Sequence, residues 1–367
     1  MNLPLVIFRT RATWIKTVAG SMAIALSCMC LAQADNNGDV QALVQGLATK
    51  HHVCAVSVAV IKSRQLQGVY VASGCAPAVA LDAHSVFEAA SLGKPVFAYA
   101  VLTLAAQGRI GLDVPLLTYL PQGYVHRQNP FDDRAASKTD LVSDPRIFQV
   151  TTRMVLNHTT GLPNWSKAPL RFDADPGATW QYSGEGYLVL QRAVEAITGR
   201  PLDVFMRSQV FEPLSMQNSA YAWSANSGLA LVPAMAADGT KRKLKPFAIP
   251  VAPTSLYTSA GDYGRFVVAL LNDGVALDKI TTAPVTVSRP LGLQWGLGWA
   301  IERSDEGPFI WHWGNNLGYR SFVMASVRTG DGFVMFTDSD DGMALAEPIA
   351  QVVLPGKHKL FDFSMLR

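Results

Sequence analysis

Residues Pro95 to Ala106 read Pro-Val-Phe-Ala-Tyr-Ala-Val-Leu-Thr-Leu-Ala-Ala. The stretch is long enough for a helix and apolar on nearly every side, so it must be buried all round rather than laid on a surface. A chain that wraps one helix completely needs packed layers on more than one side of it. This chain has the material: of its 367 residues 49% are hydrophobic and only 16% charged, which excludes disorder. About 333 residues follow position 34, more than the ~250–300 at which a single core stops growing. Two lobes with a shared interface are expected.

The order of elements narrows the architecture. Strand patterns come first, at 52–61 and 67–74. Helical segments fill the middle, at Thr152–Asn157, Gly186–Thr198, Pro201–Val210 and Asp262–Leu271. Strand patterns return at Gly298–Arg303, Ser321–Val327 and Gly332–Phe336, and a last helix is expected over Met343–Val353. Strand and helix do not alternate, which disfavours a doubly wound parallel sheet. The expected class is α/β in the α+β sense: an antiparallel sheet formed by both ends of the chain and flanked by helices, with a mainly helical inserted lobe. The sheet lobe would take about 38–92 and 290–367, and the helical lobe about 93–289.

The formal charge of +3 comes from 31 basic and 28 acidic residues. Residues 1–34 hold Arg9, Arg11 and Lys16 and no acid, so the remainder balances at 28 against 28. A neutral body argues against nucleic acid as the main partner. The basic start, the apolar run Thr17–Ala32 and the small-x-small Ala32-Gln33-Ala34 read as a secretory signal cleaved after Ala34, with an uncleaved anchor as the alternative. No other stretch is long enough to span a membrane. Cleavage would remove Cys28 and Cys30 and leave Cys54 and Cys75. A hairpin centred on Arg64-Gln65 places these two directly opposite each other, which predicts a Cys54–Cys75 disulfide in an oxidising compartment; two buried free thiols are the alternative.

Several chemistries lack their motifs. There is no G-x-S-x-G elbow, no P-loop and no G-x-G-x-x-G between a strand and a helix. The seven His residues show no H-x-x-x-H spacing, so no metal and no cofactor are expected. Ser91-Leu92-Gly93-Lys94 is an S-x-x-K. Roughly one such tetrad is expected by chance, so its weight comes from its place at the mouth of the apolar helix. There the Ser hydroxyl and the Lys amine face each other at i, i+3. A Lys desolvated by that helix would have a lowered pKa and could act as a base.

Two more segments complete a pattern: Trp180-Gln181-Tyr182-Ser183-Gly184-Glu185-Gly186-Tyr187, and Trp311-His312-Trp313-Gly314-Asn315-Asn316 just before a strand. With these the chain resembles the serine β-lactamase and penicillin-binding protein superfamily. It is most similar to the branch of class C β-lactamases, D-Ala-D-Ala carboxypeptidases, D-aminopeptidases and β-lactamase-like esterases. Flanking segments agree in order, among them Phe87–Lys94, His158-Thr159-Thr160-Gly161-Leu162-Pro163 and Thr337-Asp338-Ser339.

The resemblance implies roles. Ser91 would be the acyl-accepting nucleophile, Lys94 would take or share its proton, and Tyr182 would act as general base and acid toward the leaving group. His312, Gly314 and Asn315 would line the substrate, and the N–H groups of Ser91 and Asn315 would form an oxyanion hole. Two positions depart from the family pattern. Gly184 replaces the Asn of Y-x-N, which would contact a substrate's acyl-amide group, and His312 replaces the Lys of K-T-G. His158 reads as a structural loop residue, Arg320 as a surface arginine, and Glu185 receives no role. The implied function is an exported serine acyl hydrolase acting on a D-amino-acid peptide, an ester or a β-lactam, with a small-molecule or short-peptide substrate. The alternatives are a non-catalytic penicillin-binding-like protein and a membrane-anchored envelope factor.

Overall fold

The first strand patterns form a hairpin. In the computed structural model, which describes residues 38–132, 137–224, 226–236 and 239–366, β1 (Val56–Lys62) and β2 (Gln65–Ala72) pair antiparallel. Their turn residues Ser63 and Arg64 have φ of 48° and 64°, the left-handed pair whose twist matches the flanking strands. The turn therefore sits one residue earlier than expected, and a register shift at Val60/Ile61 leaves Val56 opposite Ala72. Along this ladder Cys54 would meet Gly74, not Cys75. The Cys54–Cys75 disulfide is present nonetheless, with Cα atoms 4.7 Å apart. It closes beyond the paired strands, where the Gly74 N–H donates to the Val53 carbonyl at 2.8 Å. The predicted secretory segment, residues 1–34, lies outside the described residues.

Two small antiparallel pairs follow in the middle of the chain: β3 (Val86–Ala90) with β6 (Leu256–Ser259), and β4 (Val125–Arg127) with β5 (Thr139–Leu141). The last third supplies β7 (Val285–Ser288), β8 (Leu293–Trp295), β9 (Ala300–Ser304), β10 (Gly307–Asn316), β11 (Tyr319–Ser326) and β12 (Gly332–Thr337). These six join the hairpin in one eight-stranded sheet, ordered β2-β1-β12-β11-β10-β9-β8-β7. Its closure is the antiparallel pairing of β1 with β12, Val58 opposite Met335. Both ends of the chain thus build the sheet, as the order of patterns predicted. The 311–316 segment lies inside β10, not ahead of a strand. Gly and Asn lower its intrinsic strand preference, and continuous pairing with β11 supplies what propensity lacks, β9 reaching only as far as Trp311.

Alternation along the strands sends residues to two cores. Phe333 and Met335 face one, with helix α1 (residues 38–50) and α8 (Ala346–Val353). Val334 and Phe336 face the other. That second core holds α2 (Gly93–Ala106), α3 (Thr152–Leu156), α4 (Gly184–Thr198), α5 (Leu202–Met206), α6 (Ala260–Asn272) and α7 (Gly274–Thr281). Helix α2 is the apolar helix: Val96, Phe97, Ala98, Ala100, Val101, Leu102 and Leu104 are all buried. The helix expected over Pro201–Val210 ends as α-helix at Met206 and continues as a π-turn, Arg207–Phe211. Among the described residues no helix is long and apolar enough to cross a membrane.

Just past β12, Asp338 fastens the seam between the chain ends. Its Oδ1 accepts the Ala55 N–H at 2.8 Å, and its Oδ2 is buried with no partner among the described residues. Burial pushes this carboxyl up to about 7. The folded protein therefore holds the proton that the unfolded chain releases near 4, and this site costs stability as pH rises through 7. Asp338→Asn keeps an acceptor for Ala55. It should raise the melting temperature at pH 8 and leave it unchanged or lower at pH 4, as thermal denaturation at both pH values would show.

Candidate functional site

The site begins where β3 turns into α2. Ala90 has φ of 49°, a conformation uncommon for a residue with a Cβ and seen where surrounding structure over-determines the backbone. Three hydroxyls clamp this turn. Ser321 donates to the Ala89 carbonyl at 2.8 Å, Tyr263 to the Leu92 carbonyl at 3.0 Å and Tyr221 to the Gly93 carbonyl at 2.6 Å. Gly93 has no room for a side chain, since a Cβ would lie 2.8 Å from the Ala252 carbonyl oxygen. Ser91 is held between these contacts.

One turn on, Lys94 is fully buried. Its Nζ donates to Ser91 Oγ at 3.0 Å and to the Pro253 carbonyl at 2.9 Å. The ammonium also lies 4.7 Å from the centre of the Tyr182 ring and 5.7 Å from that of Tyr187. Among the described residues no carboxylate pairs with it. Burial holds its pKa well below the usual lysine range.

Tyr182 precedes α4 and is packed edge and face by His158, Trp313 and Trp295, with ring centres at 4.4, 5.2 and 5.7 Å. Burial raises its pKa and the nearby Ser91 hydroxyl offsets part of that rise. In this arrangement the tyrosine oxygen completes no hydrogen bond among the described residues. A buried, neutral phenol with an uncommitted oxygen is equipped to give or take a proton beside Ser91.

His158 positions that tyrosine. Its carbonyl accepts the Gln181 N–H at 2.8 Å and its Nδ1 accepts the Ser183 N–H at 3.1 Å, gripping the chain on either side of Tyr182. His312 is also buried. Its Nδ1 donates to the Trp313 carbonyl at 2.9 Å, and burial, then the nearby Lys94, push its pKa down to about 3. It is a neutral imidazole whose ring lies 6.2 Å from that of Tyr182. Gly314 lets β10 approach the turn: a Cβ there would overlap Ser321 Oγ and the Ala89 carbonyl and lie 3.0 Å from the Ala90 Cβ.

A cleft of about 360 Å³ opens on these groups. Ser91, Tyr182, Trp313 and Asn315 line it, with Asn164, Trp165, Thr254, Asn316 and Met365. It joins a larger cavity of about 930 Å³ that shares Trp165, Thr254, Asn315 and Asn316. Ser91, Lys94, Tyr182, Gly314 and Asn315 thus come together. The His312 side chain stays behind the wall, and Trp313 takes its place at the surface of the cleft. Arg320 is tied down, donating to the Asn316 and Tyr319 carbonyls at 2.9 Å and facing Asp340 at 3.1 Å. Asn164, Trp165 and Thr254 lie outside the motif segments, and Asn316 ends the 311–316 segment with no role read for it. Asn316 Nδ2 donates to Glu88 at 2.9 Å and its Oδ1 accepts from Thr254 at 3.0 Å, partners far apart in the chain. Among the described residues no group of three or more His, Cys, Asp or Glu is arranged to hold a metal ion.

Comparison with known proteins agrees with this geometry. The Beta-lactamase family model matches residues 40–354, and the chain belongs to that family of serine hydrolases. It is 26% identical over 345 residues to penicillin-binding protein 4 of Amycolatopsis lactamdurans, covering 81% of this chain and 84% of that one. It is 25% identical over 283 residues to esterase EstB of Burkholderia gladioli, covering 60% and 68%. Its fold is that of the D-alanine carboxypeptidase AmpC from Burkholderia cenocepacia, with a TM-score of 0.72 at 14% identity over 88% of this chain and 99% of that one.

The close approach of β10 makes Gly314 a sensitive position. Gly314→Ala must push the strand off the Ala89–Ala90 backbone, a strain of about 1–3 kcal/mol. The variant should lose at least about tenfold in kcat/KM on p-nitrophenyl esters while keeping its far-ultraviolet dichroism. Wild-type kinetics would show that the cleft tolerates the displacement.

Proposed function

We propose that this protein is an exported serine acyl hydrolase that works through an acyl-enzyme on Ser91. The observation that carries the reading is the 3.0 Å hydrogen bond from a fully buried, carboxylate-free Lys94 to Ser91 Oγ. Depressed by burial, Lys94 is available as a neutral amine to take the Ser91 proton as Oγ attacks a carbonyl carbon. The N–H groups of Ser91 and Asn315 would receive the developing oxyanion, each such donor being worth about 2.7–4 kcal/mol. Tyr182 would deliver a proton to the departing oxygen or nitrogen. It would then draw one from the water that attacks the acyl-enzyme, while the proton held by Lys94 returns to Ser91 Oγ, releasing the acid and restoring both groups.

The lining of the cleft bears on substrate. No cationic side chain lines the narrow cleft beside Ser91, His312 is neutral and Arg320 is engaged elsewhere, while Lys138, Lys167 and Lys245 line the cavity it joins. Next to Ser91 the lining suits a neutral ester or amide, including a D-amino-acid amide or peptide, and a carboxylate on a longer substrate would meet the lysines of the adjoining cavity. The neutral His312 in place of the family's Lys makes efficient turnover of β-lactams the less favoured reading. An ester or amide substrate is in keeping with one relative's being an esterase and one structural neighbour's being a D-amino acid amidase from Ochrobactrum anthropi SV3, with a TM-score of 0.69, 19% identity and 87% and 97% coverage, whereas the penicillin-binding relative keeps a D-amino-acid peptide open. Export is supported by the disulfide, which persists in oxidising compartments, and cleavage after Ala34 is proposed from the sequence pattern alone.

Labelling with a fluorescent penicillin, followed by intact mass, tests the nucleophile together with p-nitrophenyl ester hydrolysis on wild type and Ser91→Ala. Ester hydrolysis that disappears in Ser91→Ala supports the reading, and full activity in that variant refutes it. The same mass reports whether the chain begins at Asp35. Lys94 gives a pH signature. The neutral amine is the active form, so kcat/KM should rise through an acidic limb centred well below 10.5. Lys94→Arg stays protonated throughout and should lose at least about 100-fold; a wild-type profile from that variant would remove Lys94 from the mechanism.

A further inference from the structure

Asn164 stands in the cleft with Ser91 and Tyr182, and its place is set by the three residues that follow Tyr182. Ser183 Oγ donates to the Pro163 carbonyl at 2.9 Å. The Gly184 N–H donates both to the Asn164 carbonyl at 3.1 Å and to Asn164 Oδ1 at 3.0 Å. Glu185 Oε1 accepts the Ser166 N–H at 2.8 Å. Glu185 is buried and faces His126 at 3.5 Å, which pairs in turn with Asp140 at 2.8 Å. The 163–166 loop is thus pinned, residue by residue, to the segment that carries Tyr182.

Gly184 is what lets the loop come so close. A Cβ at that position would lie 2.6 Å from the Asn164 carbonyl oxygen, 3.1 Å from Asn164 Oδ1 and 3.3 Å from the Trp165 ring. The hydrogen bond also settles which way the amide points. A backbone N–H only donates, so the atom facing it is the amide oxygen and Nδ2 is turned away. That nitrogen has no acceptor among the described residues. Two neighbouring side chains of the cleft are committed, Asn316 Nδ2 to Glu88 and the Thr254 hydroxyl to Asn316 Oδ1, whereas Asn315 lines the cleft from β10.

We infer that Asn164 Nδ2 donates a hydrogen bond to a second carbonyl oxygen of the substrate, so that the cleft selects acyl groups carrying an amide or peptide carbonyl near the scissile bond. The inference rests on Ser91 as nucleophile and deepens that reading. Asn164 is a specificity-determining residue here, and Gly184 is the positioning residue that admits it.

Two p-nitrophenyl esters of equal chain length isolate the effect: the N-acetylglycine ester, which offers the second carbonyl, and the pentanoate, which does not. The quantity read is the ratio of their kcat/KM values in wild type, Asn164→Asp and Asn164→Ala. The Asp variant keeps an oxygen for the Gly184 N–H and replaces the donor by an acceptor. The Ala variant keeps only the backbone bond. Both should lower the ratio about tenfold, the scale of one lost hydrogen bond. A ratio that stays within about twofold in both variants overturns the inference, whether the separate rates fall together or not at all. If wild type hydrolyses neither ester, or Ser91→Ala hydrolyses both, the nucleophile assignment fails and the role of Asn164 falls with it.

Discussion

An amine sealed among aromatic rings with no carboxylate beside it is an expensive arrangement, and the rest of the molecule is organised around keeping it. Burial disfavours the charged form of Lys94, so the group persists only if everything around it is rigid enough to deny it water. The apolar helix supplies one wall. Tyr182 and Tyr187 supply another. The Pro253 carbonyl and Ser91 Oγ are the two acceptors that remain. The same desolvation that costs stability is what would make the amine useful as a base at moderate pH.

The sheet matters to the site chiefly through one strand. β10 lies against the turn that carries Ser91, and it can do so because Gly314 has no side chain and because Ser321, opposite it on β11, donates to the Ala89 carbonyl. Tyr263 and Tyr221 hold the Leu92 and Gly93 carbonyls on the other side of Ser91. A positive φ at Ala90 is the strain these contacts sustain. Core packing and site geometry are therefore not separable here. The residues that close the core also aim the serine.

The two departures from the family pattern have different structural outcomes. At His312 the substituted group is buried behind Trp313 and held neutral, so the change removes a charge without adding a new contact to the cleft. At Gly184 the missing side chain makes room for a loop, and Asn164 and Trp165 enter the cleft in its place. One change is a subtraction and the other an exchange. Only the packing distinguishes them, because in the sequence both are single-residue replacements.

The sequence by itself determined the buried helix, the sheet closed by both chain ends and the cluster of Ser91, Lys94 and Tyr182, because these rest on local periodicity and on motifs a few residues long. It left the short strands unread. β3 and β6 are four or five residues buried on every side, with no alternation to mark them, and β10 starts on Gly-Pro and ends on Gly-Asn-Asn, residues that read as turns. Helix α1 has apolar residues at Val40, Val44, Leu47 and Ala48, a helical spacing that could have been found. The disulfide was legible as a pairing, though the register that suggested it is off by one: the turn falls one residue early, and a bulge, which leaves no mark in composition, makes up only half of the resulting offset. What only the tertiary structure decided is which way side chains face across long sequence separations: that Arg320 is tied to Asp340, that three hydroxyls from β11, α6 and the segment before β6 meet at one turn, and that Asn164 rests on Gly184. Those contacts join residues tens to hundreds of positions apart, and no local pattern can encode a distance that exists only after the chain has closed.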